Sequence, residues 1–285
     1  MVMRRSVKEP VGVDCSYMVL DTKEAKVYGR HFSVMLADTS QLLEQVYRLR
    51  YQVYCLDHAF ENPNDHFTGL ETDAYDRHSV HAAIVHRASG MVCGCVRLIL
   101  PQAGGSLPVT RFLSEHAKAA LPTALTAEVS RYAVSKAFRR RAGESEYPDV
   151  HLGDLGSSEL RRMMPHITLG LMLAVAALSE NYGISHLAAV MAPPLLRLLR
   201  TCGMEFLPIG PLVEHHGARQ PCSASVANLL EGVKARNPAY FDIIRSGLNA
   251  MYVNPAHTAA SKAHSDIGSL STFVPIVAGS QVLNA

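Results

Sequence analysis

The stretch from Ser79 to Leu100 sets the strongest limit on the fold. Two β-prone runs, SVHAAIVHR (79–87) and MVCGCVRLIL (91–100), are separated only by Ala88, Ser89 and Gly90. That is the chemistry of a hairpin turn, and it predicts an antiparallel strand pair. A pair of this kind needs further strands and a covering layer before it is stable in water, so the rest of the chain must supply both.

The flanking segments do so. HFSVMLA (31–37) alternates loosely and reads as a strand, and Asp38, Thr39 and Ser40 offer caps for a helix over QLLEQVYRLRYQVYCL. Residues 57 to 77 are rich in Asp, Asn, Pro and Gly and predict a long loop. A short helix is expected over Thr110 to Ala120 and a third sheet strand over Leu125 to Ser135. Further on, Pro165 to Tyr182 reads as a helix stopped by Gly183, Ser185 to Met191 as a buried strand, Pro193 to Cys202 as a helix, and Glu205 to Val213 as another strand. Ser223 to Arg236 and Pro238 to Leu248 predict two closing helices. The expected organisation is an N-terminal leader (1–29), one α/β domain (30–250) and a flexible C-terminal tail (251–285).

The bulk properties narrow the function. With 285 residues, 48% hydrophobic and 18% charged, the chain has enough apolar mass for a substantial core. Its formal charge of +2 gives no reason to expect nucleic acid as a partner. Six cysteines show no regular framework, which predicts reduced thiols and a cytoplasmic location. No secretory signal is expected, because Glu9, Pro10, Asp14 and Asp21 interrupt the region behind the basic N-terminus. The apolar run from Ile167 to Leu178 is too short for a transmembrane segment. There is no G-x-S-x-G elbow, phosphate-binding Walker loop, dinucleotide fingerprint or C-x-x-C pair. His215 and His216 read as a solvated loop rather than a zinc site, so no metal is expected.

Charged residues concentrate instead beside the apolar strands: Arg48 and Arg50 on the first helix, Glu71, Asp73 and Asp76 in ETDAYD, and Arg97, Glu128 and Arg131 on strands. An unpaired ion buried in a sheet costs several kcal/mol, roughly. Arg50, Arg97 and Arg131 are therefore expected to pair with Asp73, Asp76 and Glu128. In LTAEVSRYAV the period of two places Glu128, Ser130 and Tyr132 on one face and Val129, Arg131 and Ala133 on the other, unless a bulge intervenes.

The series YRLRYQVYC, ETDAYD, CGCVRLILP, LPVTRF and AEVSRYAV, in this order, resembles the GCN5-related N-acyltransferase (GNAT) branch that holds acyl-homoserine-lactone synthases and long-chain N-acyl amino acid synthases. RYQVYCLDHAFEN followed by ETDAYDRHSVH is most similar to acyltransferases associated with the PEP-CTERM/exosortase system. The resemblance implies a mixed, splayed β-sheet flanked by helices, with a C-terminal helical extension. It places Arg50 at the family's helix-one arginine, Asp73 and Asp76 at its paired loop acids, Arg97 at its strand arginine, and Glu128 with Arg131 at its E-x-x-R strand. Ser130 lies between these last two, and Glu128, Ser130 and Arg131 are the candidate catalytic residues so implied. Autoinducer synthases also carry a tryptophan after helix one. This chain has no tryptophan, and Phe60 stands in that segment.

The activity so implied joins an acyl thioester, carried on acyl carrier protein or coenzyme A as co-substrate, to the α-amine of an amino acid, with no permanently bound cofactor. The alternatives are an acyl-homoserine-lactone synthase using S-adenosylmethionine, and a ligand-binding protein that keeps the fold without turnover. Such a reaction needs a base to draw the proton from the amine and a donor for the developing oxyanion. Glu128 is the candidate base, and the backbone near Val129 to Tyr132 is the candidate donor. Arg139, Arg140, Arg141 and Gly143 form a partial version of the phosphate-cradling loop of GNAT enzymes, and the same arginines suit an acidic carrier protein. Ile167 to Leu178, Leu187 to Met191 and Leu195, Leu196 and Leu199 offer lining for an acyl slot.

Overall fold

A computed structural model describes residues 29, 31–138 and 166–248. The leader before Gly29, the basic segment with Arg139, Arg140, Arg141 and Gly143, and the expected tail lie outside the described residues.

Strands β1 (Phe32–Leu36), β2 (Ser79–His86), β3 (Val92–Ile99) and β4 (Thr126–Val134) pair antiparallel in order. Next come β5 (His186–Met191), then β8 (Ala218–Ser225) and β6 (Leu207–Pro208), while β7 (Val213–Glu214) pairs only with β8. The join between β4 and β5 is parallel and short, running from Thr126–His186 to Glu128–Ala188. Beyond it the two strands have no further ladder, and the sheet is splayed as expected.

Helix α1 (Ser40–Arg50) starts where Thr39 Oγ1 caps the Leu42 N–H. Its buried stripe, Leu42, Val46 and Leu49, packs with Cys95 and Ala133 on one face of the sheet. At Arg50 the helix widens into a π-helical stretch, Tyr51–Asp57, a distortion often found at functional sites. The 57–77 loop is built from short 3₁₀ turns at Pro63–His66 and Ala74–His78. The short helix expected over 110–120 begins only at Glu115 (α2, Glu115–Ala120), and Pro108–Phe112 before it is a separate 3₁₀ turn.

The opposite face is covered by α3 (His166–Asn181), α4 (Pro193–Thr201), α5 (Val226–Arg236) and α6 (Pro238–Leu248). Leu171, Leu173, Leu178, Leu187, Leu199, Leu229, Val233 and Ile244 form the main core there.

Two expectations need correction in this half. The single strand predicted over Glu205–Val213 is two two-residue strands, β6 and β7. The helix predicted from Ser223 instead starts at Val226, because Ala218–Ser225 is a strand between β5 and β6. ARQPCSAS has weak β-propensity and contains a proline. It is a strand because neighbours pair with it on both sides.

Gly203 closes α4 with a φ of 91°, and any Cβ there would run into the Gly232 carbonyl of α5. Gly203→Ala is expected to cost at least about 2 kcal/mol, since backbone strain and overpacking add. Urea denaturation checks this, and an unchanged midpoint would mean the helices separate freely.

Candidate active site

The charge cluster forms on the α1 face because ETDAYD folds into a capping box. Asp73 Oδ1 accepts the Tyr75 N–H, and Asp76 Oδ2 accepts the Asp73 N–H, 2.8 Å each. Both carboxylates are thereby presented to the arginines. Arg50, fully buried, donates from Nε to Glu71 Oε2 at 2.6 Å and from Nη1 to Asp76 Oδ1 at 2.7 Å. Arg97 donates from Nη1 to Asp73 at 2.6 Å and Asp76 at 2.8 Å, and from Nε to Ser130 Oγ at 2.9 Å. Arg131 reaches Glu71 at 2.9 Å, Glu61 at 3.0 Å and Asp73 at 3.1 Å.

Burial raises the Asp76 carboxyl, but hydrogen bonds and charge from Arg50, then Arg97, outweigh it and hold it well below the carboxylate range. Glu71 is likewise raised by burial and lowered further by Arg50 and Arg131. His81, 3.5 Å from Asp76, is driven down to about 4 by burial and by Arg50, and is neutral at physiological pH.

The expected convergence of Arg50, Asp73, Asp76, Arg97 and Arg131 is thus present. The expected pairing of Glu128 with an arginine is not. Glu71 takes that place, and Glu128 Oε2 accepts the Val109 N–H at 2.7 Å. Glu128 is only 5% exposed. Burial raises its carboxyl to about 7 against the lowering effects of the Val109 N–H, Arg97 and Arg111, which is a suitable value for a base at neutral pH.

The alternation expected in β4 is broken by a bulge. Arg97 pairs with Ser130 and Cys95 with Ala133, so Arg131 and Tyr132 together oppose Val96. Arg131 takes a left-handed φ of 47°. As a result Arg131 joins Ser130 on the charged face, and Tyr132 turns to the α3 side with Val129, against the main core. The other non-glycine residues with positive φ among those described are Ala59 and His216. They flank Phe60 and line the same cavity respectively. Strain of this sort gathers at functional sites and costs about 1–3 kcal/mol per residue.

A cavity of about 550 Å³ passes beside the splay, within the range of small-molecule sites, about 300–1,000 Å³. Glu61, Asp73, Arg97, Glu128, Ser130 and Arg131 line its polar part. Leu171, Met172, Val175, Leu187, Met191 and Leu199 line its apolar part. Of the expected acyl-slot residues, Leu195 also borders it and Leu196 does not. Phe60 lies at the polar end, stacked on His58 with ring centroids 5.1 Å apart and tilted against His216 at 5.3 Å.

His215, half-buried, and His216, exposed, sit in the expected polar loop, the bend between β7 and β8, and there they also line this cavity, where Arg111 and Arg219 join them. Sequence reasoning singled out none of these four as site residues. They become neighbours of Glu128 only through the turn at 108–112 and the β7–β8 hairpin. Cys93 and Cys95 are buried, and burial pushes their thiols up to about 12. Both are therefore protonated packing groups rather than nucleophiles. Among the described residues no His, Cys, Asp and Glu cluster suits a metal ion, and no helix is long and apolar enough to cross a membrane.

Residues 49–146 match the acetyltransferase (GNAT) domain family, which supports an acyltransferase enzyme. No curated protein matches the chain. The structure of TofI in a ternary complex with an inhibitor and MTA is similar at a TM-score of 0.52 and 20% identity, over 74% of this chain and 99% of that one. The two share a fold. The CoA-dependent acyl-homoserine lactone synthase BjaI, with SAM and isopentyl-CoA, gives 0.49 and 20%, over 76% and 99%. FeeM, an N-acyl amino acid synthase from uncultured soil microbes, gives 0.48 and 13%, over 72% and 96%.

Proposed function

We propose that this chain transfers a long-chain acyl group from a carrier thioester to the α-amine of an amino acid, with Glu128 as general base. The observation that carries the reading is the buried Glu128 carboxyl, poised near neutral pH at the junction of a charged chamber and an apolar channel. An acyl chain suits the channel, whose leucines and methionines adapt to a flexible tail. Its thioester then lies at the splay beside β4. The amine enters from the charged face, gives a proton to Glu128 and attacks the carbonyl carbon. The C–S bond breaks, and the departing thiolate takes up the proton held by Glu128, which restores the carboxylate. Backbone N–H groups near Val129 to Tyr132 support the developing oxyanion.

Ser130 holds Arg97 in place in this scheme, and Arg131 orients the acidic wall through Glu61, Glu71 and Asp73. The donor is acyl carrier protein or coenzyme A, met through Arg139, Arg140, Arg141 and Gly143, and the setting is the cytoplasm. The association with PEP-CTERM/exosortase systems belongs to the same proposal.

Mass spectrometry of lipid extracts from cells overproducing the protein tests the reading. A new N-acyl amino acid is expected. An acyl-homoserine lactone would establish the synthase alternative. Purified protein that releases no thiol from palmitoyl-CoA or palmitoyl carrier protein with any amino acid would leave only ligand binding.

A further inference from the structure

The cations of the cavity fall into two groups. Arg50, Arg97 and Arg131 are each bound to carboxylates. Arg111 and Arg219 have no carboxylate partner among the described residues, although both line the cavity. The Arg111 guanidinium lies over the Phe112 ring, 4.6 Å from its centroid, and its Nη2 is 3.0 Å from His215 Nε2. Since a guanidinium has only donors, His215 accepts at Nε2 and carries its proton on Nδ1. His215 is held neutral by burial and by Arg111, His216 and Arg219 around it. Arg219 lies over Phe60 at 5.5 Å and otherwise donates to the carbonyl of its neighbour Ala218.

The arginine-bound acids have the reverse balance. Glu61, Glu71, Asp73 and Asp76 are four acids against the three paired arginines, and Glu61 and Asp73 reach the cavity. The chamber therefore carries two kinds of charge, acids held by arginines and guanidinium groups with no carboxylate partner among the described residues, with Glu128 in electrostatic reach of Arg111. The Pro108–Phe112 turn carries both Arg111 and the Val109 N–H that binds Glu128, so one short element sets the spacing of base and cation.

We propose that Arg111 and Arg219 bind the free carboxylate of the acceptor, making this a site for small zwitterions that rejects esters, amides and simple amines. This rests on the proposed function and adds to it the group that selects the substrate. The carboxylate faces the unpaired guanidinium groups, and the ammonium faces Asp73, Glu61 and Glu128. Neutral His215 holds Arg111 without neutralising it. Charge-assisted hydrogen bonds to a carboxylate suit arginine above other residues.

Binding is tested apart from turnover by saturation-transfer NMR on the full chain. The probes are an equimolar mixture of the proteinogenic amino acids and, separately, their methyl esters. Wild type is expected to give transfer to at least one free amino acid and not to its ester. Arg111→Gln and Arg219→Gln are expected to weaken that binding by about 10- to 100-fold, the range for a lost charged hydrogen bond. Arg111→Lys should recover part of it, and melting curves identify a variant that has failed to fold.

With palmitoyl-CoA or palmitoyl carrier protein as donor, Arg111→Gln should raise the acceptor KM and leave the donor KM unchanged. Equal binding of acids and esters overturns the proposal, as does no amino-acid binding by wild type. A rise in donor KM alone also overturns it, because the anion bound would then be the phosphate of the pantetheine carrier. Binding that is lost in Arg111→Gln, in a protein with no thiol release, keeps the carboxylate site and removes the transfer reaction instead.

Discussion

Glu128→Gln is expected to lower acyl transfer about a hundredfold or more while the protein stays folded, the range for loss of a general base. Glutamine has nearly the same shape and still offers an oxygen to the Val109 N–H, so the turn at 108–112 keeps its anchor. What it cannot do is take a proton. The pH profile separates this from a packing effect. Glu128 must be ionised to act, and its carboxyl sits at about 7. Wild-type kcat/KM should therefore fall tenfold per unit below that value and level off above it, and the variant should lose this limb. Because the folded-state value lies above the unfolded one, the carboxyl favours the fold most at low pH, and that contribution is lost as pH rises through about 7. The glutamine variant should thus melt no lower than wild type at pH 8. Near-wild-type turnover by the variant would remove Glu128 from the reaction.

The largest effect on stability should come from Arg50→Ala. Arg50 is fully buried, and its removal leaves Glu71 with Arg131 and Asp76 with Arg97 as their remaining cations, although both carboxyls are held ionised mainly by the Arg50 guanidinium. Breaking a buried pair from one side costs about 3–5 kcal/mol. For a domain of this size that is a fall in melting temperature of roughly 6–20 °C. The loss should shrink at low pH, where the under-compensated acids can take up protons. Both carboxyls lie below their unfolded values, so the stability they contribute is present above the usual carboxylate range and disappears as pH drops beneath it. A loss under about 1 kcal/mol at pH 7, measured by urea denaturation, would show that water reaches the cluster and that it is an ordinary surface network.

Much of the fold was legible because local chemistry coincided with the final structure. The Ser89–Gly90 turn announced the β2–β3 pair, Thr39 the start of α1, and the apolar run after residue 166 the helix α3. β8 was illegible for the opposite reason. Its alanines, serines and proline carry no strand signal, and pairing with β5 and β6 imposes one.

The same division runs through the site. The sequence alone determined that arginines and acids too costly to bury singly stood beside apolar strands, and so required one another. It did not determine the partners, because an ion pair depends on distances between segments far apart in the chain. The Arg131 bulge turns that side chain onto the charged face, where Glu71 from the 57–77 loop already meets Arg50, while the 108–112 turn brings the Val109 N–H to Glu128. That arrangement, decided only by tertiary packing, keeps the Glu128 carboxyl near neutrality instead of locked in a salt bridge.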